Sequence, residues 1–130
     1  MNTLLAPVSP GELLDKITIL RIKAARIGDA AKLANVRHEL EVLQRTWDEA
    51  IGQVAAIAAD EQELEAVNAR LWDIEDWIRD EEAAQRFGGR FIELARSVYI
   101  ENDERARIKK RINLALGSAI VEEKSYRPYR

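Results

Sequence analysis

A row of apolar residues with heptad spacing runs through the first half of the chain and limits the folds open to it. From residue 33 to residue 57 the apolar positions recur at steps of three and four, which places them on one face of a helix. The members of this seam are Leu33, Val36, Leu40, Leu43, Trp47, Ala50, Val54 and Ile57. The spacing predicts a helix of about 30 residues, roughly 45 Å long. Gly52 lies inside it at a cost of about 1 kcal/mol relative to alanine, and would permit a close approach of another helix.

A second apolar seam with the same spacing follows almost directly. Its members are Leu64, Val67, Leu71, Ile74 and Ile78, after a helix-start signal at Asp60 and Glu63. Two long seams with little chain between them predict an antiparallel helical hairpin of coiled-coil type. One continuous helix over residues 30–86 is the alternative, and the acidic residues near Asp60 favour a break.

Another helix precedes this hairpin. Ser9, Pro10 and Glu12 form a capping box at its start, and Gly28 is the glycine that ends it. Apolar residues occupy two sides of this helix, so it is either sandwiched in the core or shared with a partner chain. Asp29 then caps the first long helix of the hairpin.

Two shorter helices and a tail are predicted after the hairpin. The Phe-Gly-Gly sequence at residues 87–89 ends the hairpin, and residues 91–98 predict a short helix. The Asn-Asp pair at residues 102–103 indicates a fresh cap or a kink before the last helix, and residues 118–130 predict an extended tail. The expected fold is all-α: one helical-bundle domain over residues 1–130, with a long hairpin, one preceding helix and two shorter following helices.

Composition excludes several kinds of site. The chain has no cysteine and a single histidine, His38, which excludes disulfides, thiol catalysis, thiolate zinc and a multi-histidine metal site within one chain. We therefore expect neither a metal nor a cofactor. A net charge of −3 opposes nucleic acid as a partner, and the longest apolar run, residues 54–59, is too short to cross a membrane. The first residues do not resemble a signal peptide, so the expected location is the cytoplasm.

Charge is distributed unevenly along the chain. Residues 60–82 contain ten acidic side chains and two basic ones, whereas residues 105–111 contain five basic side chains and no acidic one. We expect the acidic helix to lie near the basic one, with both charged faces largely solvated and each exposed pair contributing only about 0–1 kcal/mol. The functional alternative is that the basic run binds an anion such as a phosphate or a nucleotide.

Polar residues interrupt the apolar stripes of the C-terminal helical region. Tyr99, Asn102 and Asn113 share one face with alanines and a leucine, and Glu101 and Arg105 lie among apolar residues on the neighbouring face. Buried polar groups need partners. The pattern indicates either a buried network that sets the helix register or a small polar pocket inside the bundle.

The three tryptophans indicate where the helices contact one another. Trp47 occupies a seam position and is expected in the core, whereas Trp72 and Trp77 fall to the flanks of their seam. We expect these two to pack on the first or last helix, and an exposed one would mark a partner surface.

Several long motifs resemble a known family. They are residues 8–20 (VSPGELLDKITIL), 32–37, 71–76 (LWDIED), 91–99 (FIELARSVY), 102–103 and 117–126, which includes VEEKSY. Over nearly its whole length the chain is similar to a family of small uncharacterised bacterial proteins, a domain of unknown function. Trp77 stands where that family often has a second acid. The resemblance implies no established activity, and it implies a setting beside glycosyltransferases and surface-polysaccharide enzymes.

The polar residues of these motifs are the candidate site. They are Glu12, Asp15 and Lys16; Glu75, Asp76 and Arg79; Arg96, Tyr99, Asn102, Arg107 and Asn113; and Glu122, Glu123, Lys124 and Tyr126. We expect the bundle to gather them at one end of the long hairpin, as a structural lock for the tail or as a ligand site.

Two functions are compatible with this sequence. The first is a non-catalytic binding or scaffold module for a protein partner, which self-associates because its apolar faces exceed what the short helices can cover. The second is a protein that binds a small anionic molecule, or a small helical enzyme in the style of chorismate mutase. In the enzyme, Lys16, Glu75, Arg79, Arg96 and Arg107 would hold and polarise the substrate.

Overall fold

The computed structural model describes residues 3–129, and the regular structure in that range is entirely helical. Four α-helices follow one another: α1 (Pro10–Arg26), α2 (Ala30–Ala50), α3 (Ala58–Ala83) and α4 (Gly89–Ala115), with a short 3-10 turn (Ala55–Ile57) before α3. The all-α prediction is confirmed. Residues 118–129 contain neither helix nor strand, and the predicted domain ends at residues 1, 2 and 130 lie outside the described residues.

The first residues of α1 and α2 lie where short-range signals predict them. The Ser9 hydroxyl accepts the backbone N–H of Glu12 at 3.2 Å, and Pro10 is the first residue of α1. The Asp29 carboxylate accepts the N–H of Lys32 at 3.0 Å and so caps α2. These bonds satisfy N–H groups that have no partner within the helix.

The predicted helix of about 30 residues is wrong in its length, because α2 stops after 21 residues. Gly52 has a φ of 75°, a left-handed conformation that does not continue a helix. The Trp47 indole N–H donates to the Gly52 carbonyl at 2.9 Å and holds this turn. Apart from its immediate neighbours, the atom nearest to a Cβ at position 52 is the Asp48 carbonyl oxygen at 3.7 Å, so Gly52 terminates a helix and does not admit a second one. The alternative of one continuous helix over residues 30–86 is also wrong.

Gly52 therefore supplies a testable difference between two glycines. We expect Gly52→Ala to lower the free energy of unfolding by about 1–2 kcal/mol, because alanine is strained at a positive φ although the space is open. Gly28→Ala is the matched control, since no atom lies within 4 Å of a Cβ there and its φ is not positive. Urea denaturation of both variants measures the difference, and equal stability of the two would contradict the strain argument.

The first helix is the centre of the bundle. It packs against α2, α3 and α4, and eight of its seventeen residues are buried. Its two apolar sides are therefore explained by sandwiching within one chain. One core cluster combines Leu14 and Ile17 of α1 with Trp47 of α2, Leu64 of α3 and Ile112 of α4.

The predicted antiparallel hairpin, in which the seams of α2 and α3 pack directly on each other, is not present in the described part of the structure. The buried face of each helix does follow its predicted seam, with Val36 and Trp47 inward on α2 and Leu64, Val67 and Ile74 inward on α3. Among the described residues, however, no Cα of α2 lies within 8 Å of a Cα of α3. Both helices pack on α1, which has more buried residues than either of them.

The fourth helix lies antiparallel to α3. Arg111 bonds to Asp60 and Glu63 near the start of α3, while Arg70 bonds to Glu101, which is ten residues earlier on α4. The acidic helix and the basic helix thus lie side by side and share exposed ion pairs, as the charge pattern predicts. Within residues 3–129, no helix combines the length and the apolarity needed to cross a bilayer.

The prediction of two shorter helices after the hairpin is wrong. A single helix of 27 residues runs through positions 102 and 103 without a break. The two side chains that indicated a cap have other partners: Asn102 accepts a bond from Arg105 at 3.4 Å, and Asp103 accepts one from Lys124 at 2.6 Å. Their polarity reflects contacts with Arg105 and with the tail, so it carries no information on a helix end.

Candidate functional site

A cleft of about 960 Å³ lies between the second half of α4 and residues 122–129 of the tail. Its charged and aromatic lining consists of Arg105, Arg107, Lys109, Lys110, Lys124 and Arg127, the carboxylates of Asp103, Glu122 and Glu123, and the rings of Tyr99, Tyr126 and Tyr129. Six cationic side chains thus face three carboxylates, in a chain whose net charge is −3. Five of the six cations are already paired with carboxylates of the lining or of its immediate neighbours, so the cleft is dense in paired charges.

A buried ion pair between α1 and α4 forms one wall of the cleft. Asp15 is 1% exposed, and its two carboxylate oxygens accept bonds from the Arg105 guanidinium, with the Nε at 2.9 Å from Oδ1. The Asn68 amide of α3 donates to the same Oδ1 at 2.9 Å and to the Thr18 hydroxyl at 3.0 Å. The hydrogen bonds that Arg105 donates to Asp15 raise the pKa of Arg105. Three helices are held in register by one charged network.

The start of α1 lies directly against the backbone of α4 beside this pair. The Gly11 N–H donates to the Asn113 side-chain oxygen at 2.7 Å, and Asn113 is 1% exposed. A Cβ at position 11 would lie 2.6 Å from the Lys109 carbonyl oxygen. Only glycine permits this approach, so position 11 sets how closely the first turn of α1 lies against the cleft.

A chain of polar contacts then links α1, α4 and the tail. The Lys109 ammonium lies 2.6 Å from the Glu12 carboxylate and 3.4 Å from that of Glu122. The Ser9 hydroxyl, itself 2% exposed, donates to Glu122 at 3.1 Å. The Glu12 side chain therefore contacts α4. In the predicted capping box it would instead bond to the backbone of residue 9. Ser9 still caps the helix and also holds the tail.

The outer part of the tail is attached through exposed contacts. Lys110 lies 3.2 Å from Glu123, and Lys124 lies 2.6 Å from Asp103. Hydrogen bonds from Lys124 and Tyr129 lower the pKa of Asp103. The Tyr129 ring meets the Tyr99 ring edge-on, with 4.8 Å between centroids. Each of these contacts is at the surface, so each stabilises the tail only modestly.

The structure brings ten of the fifteen predicted residues to this region. Tyr99, Asn102, Arg107, Asn113, Glu122, Glu123, Lys124 and Tyr126 line the cleft, and Glu12 and Asp15 bond to its lysine and arginine. Lys16 and Arg96 are exposed and do not line it.

The α3 residues of the predicted site lie elsewhere. Glu75, Asp76 and Arg79 are on the second half of α3, where Arg79 bonds to Glu75 at 2.9 Å in an exposed pair one turn apart. The cleft lies along the part of α4 that is opposite the first half of α3. The three α3 residues are therefore too far along α3 to reach the cleft. The set Lys16, Glu75, Arg79, Arg96 and Arg107 is therefore not assembled, because only Arg107 reaches the cleft.

Sequence reasoning missed several residues that build the site. Lys109 and Lys110 belonged to a run expected to be a solvated face, with anion binding as the alternative, and Ser9 was interpreted only as a cap. Arg105 stood out as a polar residue on an apolar face, which is the signal that could have placed it in the site. Asn68 follows Val67 in the second seam, and no pattern distinguishes it from a surface asparagine.

The double role of Ser9 predicts a larger effect than that of an ordinary cap. We expect Ser9→Ala to cost about 1–3 kcal/mol, since it removes the helix cap and the bond to Glu122 together. Asp29→Ala is the control, because it removes the cap of α2 alone and is expected to cost about 1 kcal/mol. Urea denaturation gives the two values, and trypsin cleavage after Lys124 should accelerate in Ser9→Ala only. Equal cleavage in both variants would contradict the link to the tail.

Comparison with known proteins gives a family and no function. A family model described as "Family of unknown function (DUF6165)" matches residues 5–129. No curated protein and no solved structure matches the chain significantly.

Proposed function

The chain belongs to this family of unknown function, and we propose from its own geometry that it is a non-catalytic binding module whose cleft between α4 and the tail takes a small anionic molecule. The observation that carries the proposal is the cleft itself, with six cationic side chains and three tyrosines around about 960 Å³. Ligand sites of this size hold molecules of nucleotide dimensions.

The chemistry of the lining supports an anion joined to a flat group. Lysine and arginine bind phosphates and carboxylates through charge-assisted hydrogen bonds. Tyr126 is 82% exposed, and although the Lys124 ammonium lies 5.4 Å from its ring centroid, most of the ring is accessible to a planar ligand group. A nucleotide or nucleotide sugar has this combination, and the setting in surface-polysaccharide synthesis implied by the motifs would supply such compounds.

Three groups of the lining are stabilised in their charged forms. Hydrogen bonds with Glu104 and Asp15 raise the pKa values of Arg107 and Arg105, and bonds from Lys124 and Tyr129 lower that of Asp103. Each shift moves the pKa of the group further from neutral pH. A general acid or base works best with a pKa near the working pH. Such fixed charges suit the recognition of a charged ligand.

The tail completes the proposed site. Residues 122–129 have no regular secondary structure and line the cleft together with α4. We propose that they form an extended strap, as the sequence predicts, with Lys124 and Arg127 facing the ligand. The bacterial cytoplasm is the proposed location.

A thermal-shift screen tests the proposal directly. At a ligand concentration of 100 times Kd, binding should stabilise the protein by about 2.7 kcal/mol and raise Tm by roughly 10 °C. The panel contains nucleotides, nucleotide sugars, inorganic phosphates and dicarboxylates. We expect the double variant Lys110→Gln with Arg127→Gln to lose most of this shift, because both cations line the cleft on its exposed side.

The control is Arg45→Gln, which removes an exposed cation on α2 that is paired with Glu41 and is remote from the cleft. It should retain the full shift. If no anion of the panel raises the Tm, the cleft is not a binding site for these anions. The same follows if the cleft double variant and Arg45→Gln show equal shifts in Tm.

A second candidate function is self-association or docking of a protein partner. We define the α3–α4 tip as residues 75–93, the end of α3, the connection and the start of α4, a stretch that contains no buried residue. Trp77, Phe87 and Ile92 are 46%, 50% and 55% exposed there, and the Arg90 guanidinium lies 5.3 Å from the centroid of the Trp77 ring. An exposed apolar group of this kind is typical of a partner surface. It supports the scaffold interpretation and the homo-oligomer predicted from the sequence.

Light scattering on the purified chain tests this candidate. We expect about twice the monomer mass at high concentration, and a monomer for Trp77→Arg. The control is Val42→Arg, since Val42 is 39% exposed on α2 and should not alter the mass. A wild-type monomer at all concentrations would overturn self-association.

A further inference from the structure

We infer that Glu122 and Glu123 are an intramolecular occupant of the anion site, and that a ligand with two neighbouring anionic groups, of the diphosphate class, displaces them from Lys109 and Lys110. The inference rests on the proposed function and adds to it the class of ligand and the way in which access is controlled. It starts from the register in which the tail meets α4.

Two adjacent carboxylates meet two adjacent lysines in that register. Lys109 lies 3.4 Å from Glu122, and Lys110 lies 3.2 Å from Glu123, and the partners are thirteen positions apart in each case. The tail thus presents a pair of negative groups to a pair of ammonium groups. The same arrangement would form if a diphosphate placed one phosphoryl group at each lysine, with oxygens that accept stronger bonds than carboxylates of a flexible chain.

The two contacts of the tail differ in how firmly they are held. Glu123 is 72% exposed and Lys110 is 46% exposed, so this pair is solvated and weak. Glu122 is held more firmly, because Ser9 also donates to it. Displacement by a ligand would therefore begin at Glu123 and proceed towards Glu122.

The tether makes this weak occupant effective. A short flexible segment keeps its charged groups at an effective concentration in the millimolar range near the site, so it competes with any ligand without high affinity of its own. Lys109 keeps a bond of 2.6 Å to Glu12 when Glu122 leaves, which holds its ammonium group in place. The Asp15–Arg105 pair also stays, because neither residue bonds to the tail. Removal of the tail carboxylates therefore leaves the cationic side chains in place to bind an anion.

Calorimetry with inorganic pyrophosphate on the full chain tests the inference. The double variant Glu122→Gln with Glu123→Gln should bind pyrophosphate about 10-fold more tightly than the wild type, which corresponds to about 1.4 kcal/mol. Glutamine at position 122 can still accept the bond from Ser9, so the fold should be preserved, and far-UV circular dichroism checks this. Adding Lys110→Gln to the double variant should remove most of the gain.

The matched control is Glu41→Gln with Arg45→Gln, which neutralises an exposed pair on α2 and should leave the affinity unchanged. A second measurement follows the tail itself. Pyrophosphate should accelerate trypsin cleavage after Lys124 in the wild type, while the double glutamine variant should be cleaved fast without it.

The outcomes separate the two proposals. Equal pyrophosphate affinity of wild type and double glutamine variant, or no binding by that variant, overturns the inference, whereas thermal shifts with another anion would leave the proposed function standing. If neither protein responds to any anion of the panel, both proposals fail. Tighter binding by the glutamine variant together with faster cleavage in the liganded wild type supports the inference.

Discussion

Asp15→Ala is expected to lower the free energy of unfolding by about 3–5 kcal/mol, the typical cost of removing one partner of a buried ion pair. The carboxylate is 1% exposed and accepts bonds from Arg105 and from the Asn68 amide. Without it, the Asn68 amide loses a partner inside the core, and the Arg105 guanidinium, whose side chain is 30% exposed, loses both of its bonds to the carboxylate. Urea denaturation at neutral pH measures the loss.

An exposed ion pair provides the control for this result. Asp73 lies 2.6 Å from Arg26, and its side chain is 40% exposed. Asp73→Ala should therefore cost no more than about 1 kcal/mol, although the distance between the charged atoms is as short as in many buried pairs. If Asp15→Ala and Asp73→Ala destabilise the protein equally, the network is not the anchor of the bundle.

The double variant Asp15→Ala with Arg105→Ala distinguishes pairing from packing. When both partners are absent, no unpaired charge remains, so the double variant should be less destabilised than the sum of the single variants. A strictly additive result would show that the two side chains contribute through packing alone.

Gly11→Ala is expected to cost about 2–4 kcal/mol. Its Cβ would lie 2.6 Å from the Lys109 carbonyl oxygen and 2.9 Å from the Asn113 side-chain oxygen. The first of these atoms belongs to the backbone of α4 and cannot rotate away, so the two helices must separate. Their separation would also stretch the bond from the Gly11 N–H to Asn113, which is 2.7 Å long.

Gly89→Ala is the matched control, since no atom lies within 4 Å of a Cβ at that position. Its free energy of unfolding should stay within about 0.5 kcal/mol of the wild type. Because position 11 adjoins the cleft, Gly11→Ala should also accelerate trypsin cleavage of the tail, while Gly89→Ala should not. An alanine at position 11 that leaves stability unchanged would contradict the close approach.

The family assignment and the buried faces were accessible from the sequence. Trp47 and Leu64 point inward because each lies in a row with helical spacing, and this periodicity is a property of the chain itself. The partner of each row was not accessible, since one apolar stripe packs on another with little selectivity. The two seams therefore suggested pairing with each other, whereas in the structure both pack on α1.

The candidate site divides in the same way. Asp15 was identified from its motif and Asn113 as a polar residue on an apolar stripe, but their partners lie far along the chain: Asp15 bonds to Arg105, ninety residues away. Charged side chains on a helix surface look alike in sequence whether they are solvated or buried against another helix. Lys109 and Lys110 were for this reason predicted as part of a solvated face, and Glu75 was predicted in a site that it does not reach.

The sequence by itself determined where α1 and α2 begin, which side of each helix is buried, and that no thiol or multi-histidine site exists within the chain. These properties depend on residues within a few positions of one another, through capping bonds and helical periodicity. Only the tertiary structure decided that α1 is central, that α4 is unbroken, and that the tail lies against Lys109 and Lys110. Such arrangements depend on shape and on polar bonds between distant segments, because burial stabilises any well-packed apolar pair while a buried charge requires one particular partner.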